Sequence, residues 1–215
     1  LFGSPTYEVY PNRRIVGRNS AFLLDRDGRT VSTYHKMHLV PFGEYVPLKS
    51  VLFFVERMVQ AIGDFQKGTD YTVMKVRTAG PVGTAVSTVI CYEIIFPDLV
   101  RRFVNSGASV IATLTNDAWF GRTAAPSQHF SMAVLRAVEN RVPVARAANT
   151  GISGFIDAKG RVIDASPLFQ EAVLTRTLAP GTRKTFYTKH GDLFSYACLI
   201  AAVLLMLPRP KKAKI

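Results

Sequence analysis

The chain has 215 residues, of which 48% are hydrophobic, and it carries a formal charge of +12. This length allows one sizeable core with a small appendage, and the apolar content indicates contact with a membrane. The positive charge favours an anionic neighbour, but the Lys and Arg residues are scattered rather than interleaved with aromatics, which argues against nucleic acid as a partner.

The cysteines and histidines give no sign of a disulfide framework or a metal site. Cys91 and Cys198 lie far apart in unlike surroundings, and two such cysteines do not make a framework. His35 and His38 are three residues apart, but no suitable third ligand lies nearby, so zinc is not expected. We therefore expect these histidines to lie at the surface or in supporting positions rather than to bind a metal.

The first half of the chain predicts a hairpin followed by an irregular stretch. Residues 21–24 and 31–34 read as strands joined by the turn sequence at 25–28, Asp-Arg-Asp-Gly. Residues 36–48 contain prolines and a glycine and are predicted to be irregular. The apolar run 51–55 fits either a core helix or an amphipathic arm that enters a bilayer surface.

From residue 84 onward the pattern alternates between strand and helix, which is typical of a layered α/β domain. The predicted elements are strand 85–90, helix 97–105 closed by Gly107, strand 110–115, helix 127–140 with Ser127 as N-cap, strand 144–148, and a hairpin turning at 158–160.

The terminal segment differs from the rest of the chain. Residues 193–207 carry no charge and are followed by Arg209, Lys211, Lys212 and Lys214. A full span needs about 20 apolar residues, which the preceding residues from Tyr187 could complete. We predict a transmembrane helix with a cytoplasmic basic tail, and the alternative is a terminal core helix.

Cys91 is the leading candidate for a nucleophile. A β-branched, apolar run ends at this residue, and Pro97 followed by Asp98 signals the start of a helix. The thiol is thus expected at the carboxyl end of a strand, where open α/β sheets place their chemistry and where a helix N-terminus favours thiolate. The alternative is a small buried hydrophobe.

Three charged residues stand against apolar backgrounds near this position. Lys36 directly follows a predicted strand, and Glu44 and Glu93 lie within apolar motifs. A fixed ammonium group near a thiol favours the thiolate and stabilises an oxyanion, and a carboxylate can orient the lysine or move protons. Taken singly, each could instead be a surface charge.

Four stretches closely resemble the apolipoprotein N-acyltransferase family, the membrane-bound branch of the nitrilase (carbon–nitrogen hydrolase) superfamily. They are YHKMHLVPFGEYVPL (34–48), ICYEIIFPDLVR (90–101), TNDAWFG (115–121) and QHFSMAVLRAVENRVPVARAANTGISGFID (128–157). The resemblance implies an α/β fold, the α-β-β-α sandwich, incomplete at the N-terminus. Residues 1–186 would form the catalytic domain, and 187–215 the transmembrane helix and tail.

The resemblance also implies roles for individual residues. Cys91 would be the nucleophile that carries an acyl group as a thioester, and Lys36 would stabilise the tetrahedral oxyanion. Glu44 matches a further carboxylate that the family needs near the site. Tyr92 and Glu93 match positions important for activity.

The substrate-binding positions and the catalytic base follow from the same resemblance. Trp119, with Phe120 beside it, lies in a loop that is similar to the family's lid over the acyl-chain pocket. The third member of the Glu–Lys–Cys triad matches no position, since the setting of Glu8 is different. The chain also begins at Leu1 rather than methionine, so we expect a C-terminal fragment that is inactive alone.

The implied reaction moves an acyl chain from a membrane phospholipid, through the cysteine thioester, to the N-terminal amine of a diacylglyceryl-cysteine lipoprotein. The resemblance implies neither a metal nor an organic cofactor for this reaction. The protein would be a monomer in the bacterial inner membrane, with its catalytic domain facing the periplasm. A nitrilase-type amidase that hydrolyses a small C–N substrate is the main alternative. A membrane-anchored pseudo-enzyme or binding module is a third.

Overall fold

The computed structural model describes residues 1–11, 15–47, 65–77 and 83–207. The apolar run 51–55, predicted to be a core helix or an amphipathic arm, lies outside these residues, as does the basic tail. The elements in chain order are β1 (Phe2–Val9), β2 (Ile15–Leu24), β3 (Thr30–His35), β4 (Met74–Val76), β5 (Thr84–Ile90), a 3-10 helix (Cys91–Ile95), α1 (Pro97–Asn105), β6 (Val110–Asn116), a second 3-10 helix (Ala118–Phe120), α2 (Ala125–Asn140), β7 (Val144–Asn149), β8 (Gly154–Ile156), β9 (Val162–Ala165), α3 (Phe186–His190) and α4 (Leu193–Met206).

The strands form two sheets. Strands β1, β2 and β3 make a small antiparallel sheet, and β4 to β9 make a six-stranded mixed sheet in sequential order. Strands β5, β6 and β7 are parallel neighbours, connected through α1 and α2. Parallel strands need such crossovers, so the predicted alternation of strand and helix is confirmed, and with it the α/β class.

One buried cluster connects the two sheets and the helices. It includes Tyr34 from the small sheet, Val89 and Val144 from the large sheet, Phe103 from α1 and Ala133 from α2. The ring of Tyr34 meets the edge of the Phe103 ring at a centroid distance of 5.4 Å. Burial of this apolar surface is the main force that holds β3 and β5 in place, and the candidate site lies where these two strands end.

Local sequence explains most element boundaries. The turn between β2 and β3 closes with Gly28 at φ 79°, as the Asp-Arg-Asp-Gly sequence predicts. Helix α1 starts with Pro97 in its first turn, where a missing N–H costs nothing. Gly107 follows its end at φ 113°, as expected for a helix stop.

Two local predictions need correction. Helix α2 begins at Ala125 rather than at Ser127, and its N-cap, Ala124, makes no side-chain cap bond. Ser127 is therefore inside the first turn, where Pro126 has already started the helix. Strand β1 was not predicted at all, because Pro5 interrupts its pattern; as an edge strand in the described sheet it tolerates this proline.

The terminal segment differs from its prediction in length. Helix α4 has 14 residues, none of them buried. Within the described ranges, no helix combines the length and the apolar character needed to cross a bilayer. The preceding helix α3 is fixed to the domain by Thr188. The carbonyl oxygen of Thr188 accepts a hydrogen bond from Asn105 Nδ2 at 2.6 Å, and the hydroxyl of Thr188 donates to Asn140 Oδ1 at 3.0 Å.

Candidate active site

Cys91 directly follows the last residue of β5 and opens a 3-10 helix. Its φ of 52° lies in the left-handed region, which costs a non-glycine residue about 1–2 kcal/mol. The residue is partly exposed and also packs against the hydrophobic core, so its role as a nucleophile stays a prediction. Strain of this kind persists only where the surroundings impose it, and it concentrates at functional sites.

Lys36 and Glu44 form a nearly buried ion pair. The Nζ of Lys36 donates to both carboxylate oxygens of Glu44, at 2.9 and 2.7 Å, and the two side chains are 1% and 13% exposed. Glu44 also accepts hydrogen bonds from Asn19 Nδ2 at 2.9 Å and from the Val40 N–H at 2.8 Å. A buried ammonium group needs such a partner, so Glu44 fixes the position of Lys36.

The motif around Glu44 folds as one tight loop. Phe42 has φ 60°, and its N–H donates to the Tyr45 carbonyl at 2.8 Å, while the Glu44 N–H donates to the Val40 carbonyl at 2.8 Å. These bonds turn the chain back on itself within a few residues. They place the carboxylate of Glu44 next to Lys36, the residue that follows β3.

The carboxylate of Glu93 accepts hydrogen bonds from residues at the ends of β3 and β5 and in the segment that follows β3. Its Oε1 accepts hydrogen bonds from Tyr34 Oη at 2.8 Å and from the N–H groups of Met37 at 2.8 Å and His38 at 3.0 Å. Its Oε2 accepts from the Ile90 N–H at 2.7 Å. Met37 follows Lys36, and Ile90 precedes Cys91, so one carboxylate holds the segments of Lys36 and Cys91 side by side.

Glu93 is fully buried, and its surroundings have opposing effects on its pKa. Burial raises the pKa of Glu93, and the hydrogen bonds from Ile90, His38, Tyr34 and Met37 oppose that rise. Burial, and then the Glu93 carboxylate, raise the pKa of Tyr34 well above its usual range. The phenol therefore stays protonated and remains a donor to Glu93.

Aromatic side chains line the side of the site next to Cys91. Tyr92 meets Phe96 edge-on at 5.1 Å between ring centroids, and Phe96 stacks on His38 at 3.7 Å. Burial, and next the charge of Lys36, lower the pKa of His38. His38 is therefore neutral near pH 7.

The two predicted lid residues, Trp119 and Phe120, differ in their exposure and contacts. Trp119 is 80% exposed and projects from the 3-10 helix that follows β6. Phe120 faces inward, with its ring 5.9 Å from that of His129. Only Phe120 thus packs against a residue that touches Cys91, and the predicted substrate-binding role of both remains a prediction.

A buried polar network next to Cys91 was not predicted. His129 Nε2 lies 3.1 Å from the Cys91 carbonyl oxygen, and its Nδ1 lies 3.0 Å from Asp117 Oδ1. Arg146 donates to Asp117 Oδ2 at 2.7 Å, with both side chains 0% exposed. Against the effect of burial, bonding from His129 and the charge of Arg146 hold the pKa of Asp117 below its usual value. The available signal was a charged residue, Arg146, inside an apolar strand.

A cavity of about 610 Å³ opens beside the Lys36–Glu44 pair. Its lining comes mainly from the residues that follow Lys36 and Glu44 and from a returning segment: Met37, His38, Leu39, Tyr45, Val46, Phe65, Gln66 and Lys67. The size is that of a small-molecule site. In the part of the chain that the structure describes, no group of three or more His, Cys, Asp or Glu residues could hold a metal ion.

The profile of the carbon-nitrogen hydrolase family matches residues 2–187. This range is most of the chain, and the chain belongs to the carbon–nitrogen hydrolase family. Within it, the resemblance to apolipoprotein N-acyltransferases is confirmed. The chain is 46% identical over 205 residues to the Geobacter metallireducens apolipoprotein N-acyltransferase, covering 95% of this chain and 38% of the relative. The Haemophilus influenzae protein of that name is 42% identical over 177 residues, covering 82% of this chain and 33% of its own length.

Solved structures of the nitrilase superfamily share the fold. Nit3 from Saccharomyces cerevisiae superimposes with a TM-score of 0.55 at 20% identity, covering 79% of this chain and 56% of Nit3. An amidase from Nesterenkonia sp. gives a TM-score of 0.55 at 19% identity, covering 92% of this chain and 65% of the amidase. Identities this low establish a common fold and nothing about substrate.

Proposed function

We propose that this chain carries the nucleophile of an apolipoprotein N-acyltransferase, with Cys91 as the acyl carrier. The observation that carries the proposal is the 46% identity to such an enzyme across 95% of the chain. The amidase likeness, at 19% identity, concerns the fold alone. N-acyltransferases and amidases of this superfamily share the site chemistry, so the choice between them depends on the difference in sequence identity.

In the proposed first half-reaction, the thiolate of Cys91 attacks the ester carbonyl of a phospholipid. The carbonyl oxygen becomes an oxyanion, which the ammonium group of Lys36 stabilises. The ester C–O bond then breaks, and the lysophospholipid leaves as an alcohol after taking up a proton. This step leaves the acyl chain on sulfur as a thioester.

In the second half-reaction, the N-terminal amine of a diacylglyceryl-cysteine apolipoprotein attacks the thioester carbonyl. Lys36 again stabilises the oxyanion, the C–S bond breaks, and an amide forms while Cys91 returns to thiolate. Glu44 contributes by pairing with the ammonium group of Lys36 and holding it in place, and Glu93 by holding the strand ends together. The general base for both steps is a glutamate that the family supplies from outside the segment matched here.

In this proposal, the acyl chain lies in the cavity beside the Lys36–Glu44 pair. The cavity wall includes the apolar side chains of Leu39, Val46 and Phe65. As the family resemblance implies, we assign Trp119 and Phe120 to the lid over the acyl chain. An exposed tryptophan suits a lid that contacts a lipid surface, because its ring is apolar with one polar edge.

Residues 1–186 form the catalytic domain in this proposal, and 187–215 form the membrane attachment. Helix α4 is about 21 Å long at 1.5 Å per residue, and its side chains are all exposed. Exposed apolar surface of this extent is costly in water and favourable in lipid. The basic residues from Arg209 onward suit an anionic, cytoplasmic lipid surface, which would direct the catalytic domain to the periplasmic side of the inner membrane.

A transfer assay tests the proposed function. The complete protein in detergent is given phospholipid with a labelled acyl chain and a peptide that begins with diacylglyceryl-cysteine. The proposal predicts label in an amide at the peptide N-terminus, dependent on Cys91. Release of free fatty acid with no amide, or turnover of small amides alone, would favour the amidase alternative.

A further inference from the structure

His129 is placed to hold the backbone of the nucleophile. Its Nε2 lies 3.1 Å from the carbonyl oxygen of Cys91. A carbonyl oxygen can only accept a hydrogen bond, so Nε2 must carry the hydrogen, whether the ring is neutral or charged. The side chain is 6% exposed, which leaves the ring little access to water.

Asp117 fixes the opposite side of the same ring. Its Oδ1 lies 3.0 Å from His129 Nδ1 and accepts a hydrogen bond from Thr115 Oγ1 at 2.9 Å. Arg146 Nη2 donates to the other oxygen at 2.7 Å and lies 3.1 Å from His129 Nδ1. Nδ1 therefore accepts from Arg146 when the ring is neutral and donates to Asp117 when the ring is charged. A Cβ added at Gly151 would collide with the Asp117 carboxylate, so the surrounding backbone closes on this group. The position of the imidazole is therefore determined from both ends.

The bond from His129 acts at the point where the backbone of Cys91 is strained. The residue has φ 52°, and a left-handed residue needs an outside contact to keep that conformation. Relaxation to a negative φ would swing the Cα–Cβ bond and carry the sulfur to a new place. The carbonyl belongs to the peptide group that joins Cys91 to Tyr92, and a planar peptide moves as one unit.

We propose that His129, supported by Asp117, is a positioning residue for Cys91, whose Nε2–H group holds the carbonyl and so fixes the direction of the thiol. This inference rests on the proposed function for its catalytic meaning. It assigns no proton transfer to His129. The histidine acts on the reaction only through the backbone of the nucleophile.

The test compares two substitutions in the complete protein, both in a Cys198→Ser background. His129→Leu removes the donor, and His129→Gln keeps an N–H donor on a side chain of similar reach. His190→Leu, at an exposed position in α3, is the matched control. The readouts are the rate of Cys91 alkylation by iodoacetamide at one pH, and kcat and KM for thioester formation from labelled phospholipid.

We expect His129→Leu to lower kcat by about 10²-fold, the effect of misplacing a reacting group by about 1 Å, with KM unchanged. Alkylation should slow in the same variant, and His129→Gln should recover most of both rates. A purely structural role would move KM and kcat together and would not be rescued by glutamine. Parent-like rates in His129→Leu, or equal losses in the Leu and Gln variants, would overturn the inference.

Two arms keep the result interpretable. If His129→Leu loses its cooperative melting transition, His129→Gln decides alone: near-parent rates support the inference, and a severe loss of alkylation overturns it. If the parent protein forms no thioester with phospholipid, the proposed function fails. The alkylation comparison still tests the positioning role, because iodoacetamide needs no lipid site.

Discussion

Lys36 donates both of its short hydrogen bonds to a single carboxylate, that of Glu44, at 2.9 and 2.7 Å. The lysine side chain is only 1% exposed, and among the described residues the Glu44 carboxylate is the ion-pair partner of its ammonium group. The family resemblance implies that Lys36 stabilises the oxyanion and that Glu44 has an auxiliary role. The geometry explains why the two residues belong to the same local motif.

Substituting Glu44→Gln should destabilise the protein by about 3 kcal/mol, because removing one member of a buried pair leaves the other charge uncompensated. Thioester formation should fall with it, since Lys36 loses its fixed position. Thermal unfolding and acylation rate in detergent measure the two effects. Glu171→Gln, at an exposed position, is the control and should change neither. A fully active, equally stable Glu44→Gln protein would contradict the assigned role.

Glu93→Gln should be more damaging than Tyr34→Phe. The carboxylate accepts three backbone N–H groups and one hydroxyl, and an amide would turn an NH2 group toward at least one of these donors. Tyr34→Phe removes one donor of the four and should cost about 1 kcal/mol. Melting temperatures of the two variants check this order. The reverse order would show that Glu93 does not join the strand ends as described.

The strained backbone at Cys91 predicts an unusual effect of glycine. Cys91→Gly should be more stable than Cys91→Ala by about 1 kcal/mol, because glycine adopts positive φ without the Cβ penalty. The same pair at Cys198, inside α4, should show the opposite order, with alanine about 1 kcal/mol better. Thermal unfolding of the four variants tests both statements. Equal stability of Gly and Ala at position 91 would argue against the left-handed conformation.

The lowered pKa of Asp117 predicts that part of the protein's stability is lost at acid pH. Its pKa is lower in the folded protein than in the unfolded chain, because His129 and Arg146 favour the carboxylate. Its contribution to stability is thus complete above the unfolded value of about 3.9 and is lost as the pH falls through the lower folded value. Asp117→Asn should flatten the stability curve below about pH 4, whereas the exposed control Asp27→Asn should leave its slope unchanged.

Sequence patterns identified much of the fold and only part of the site. The apolar run that ends at Cys91 and the helix start at Pro97 were predictable, because each depends on neighbours in the chain. Strand β1 was missed, since its place depends on pairing with β2 rather than on its own pattern. Asp117 and His129 were visible as residues in motifs, but the contact of His129 with Cys91 arises from the packing of α2 against the 3-10 helix that follows β5, which no local spacing reveals.

The central claim is that the sulfur of Cys91 accepts an acyl group from phospholipid. Intact-mass and peptide-level mass spectrometry of the complete protein after incubation with phospholipid measures this directly. We predict an added acyl mass on the peptide containing Cys91, lost in Cys91→Ser, retained in Cys198→Ser and released by hydroxylamine. An adduct that persists in Cys91→Ser, or maps to another residue, would contradict the account.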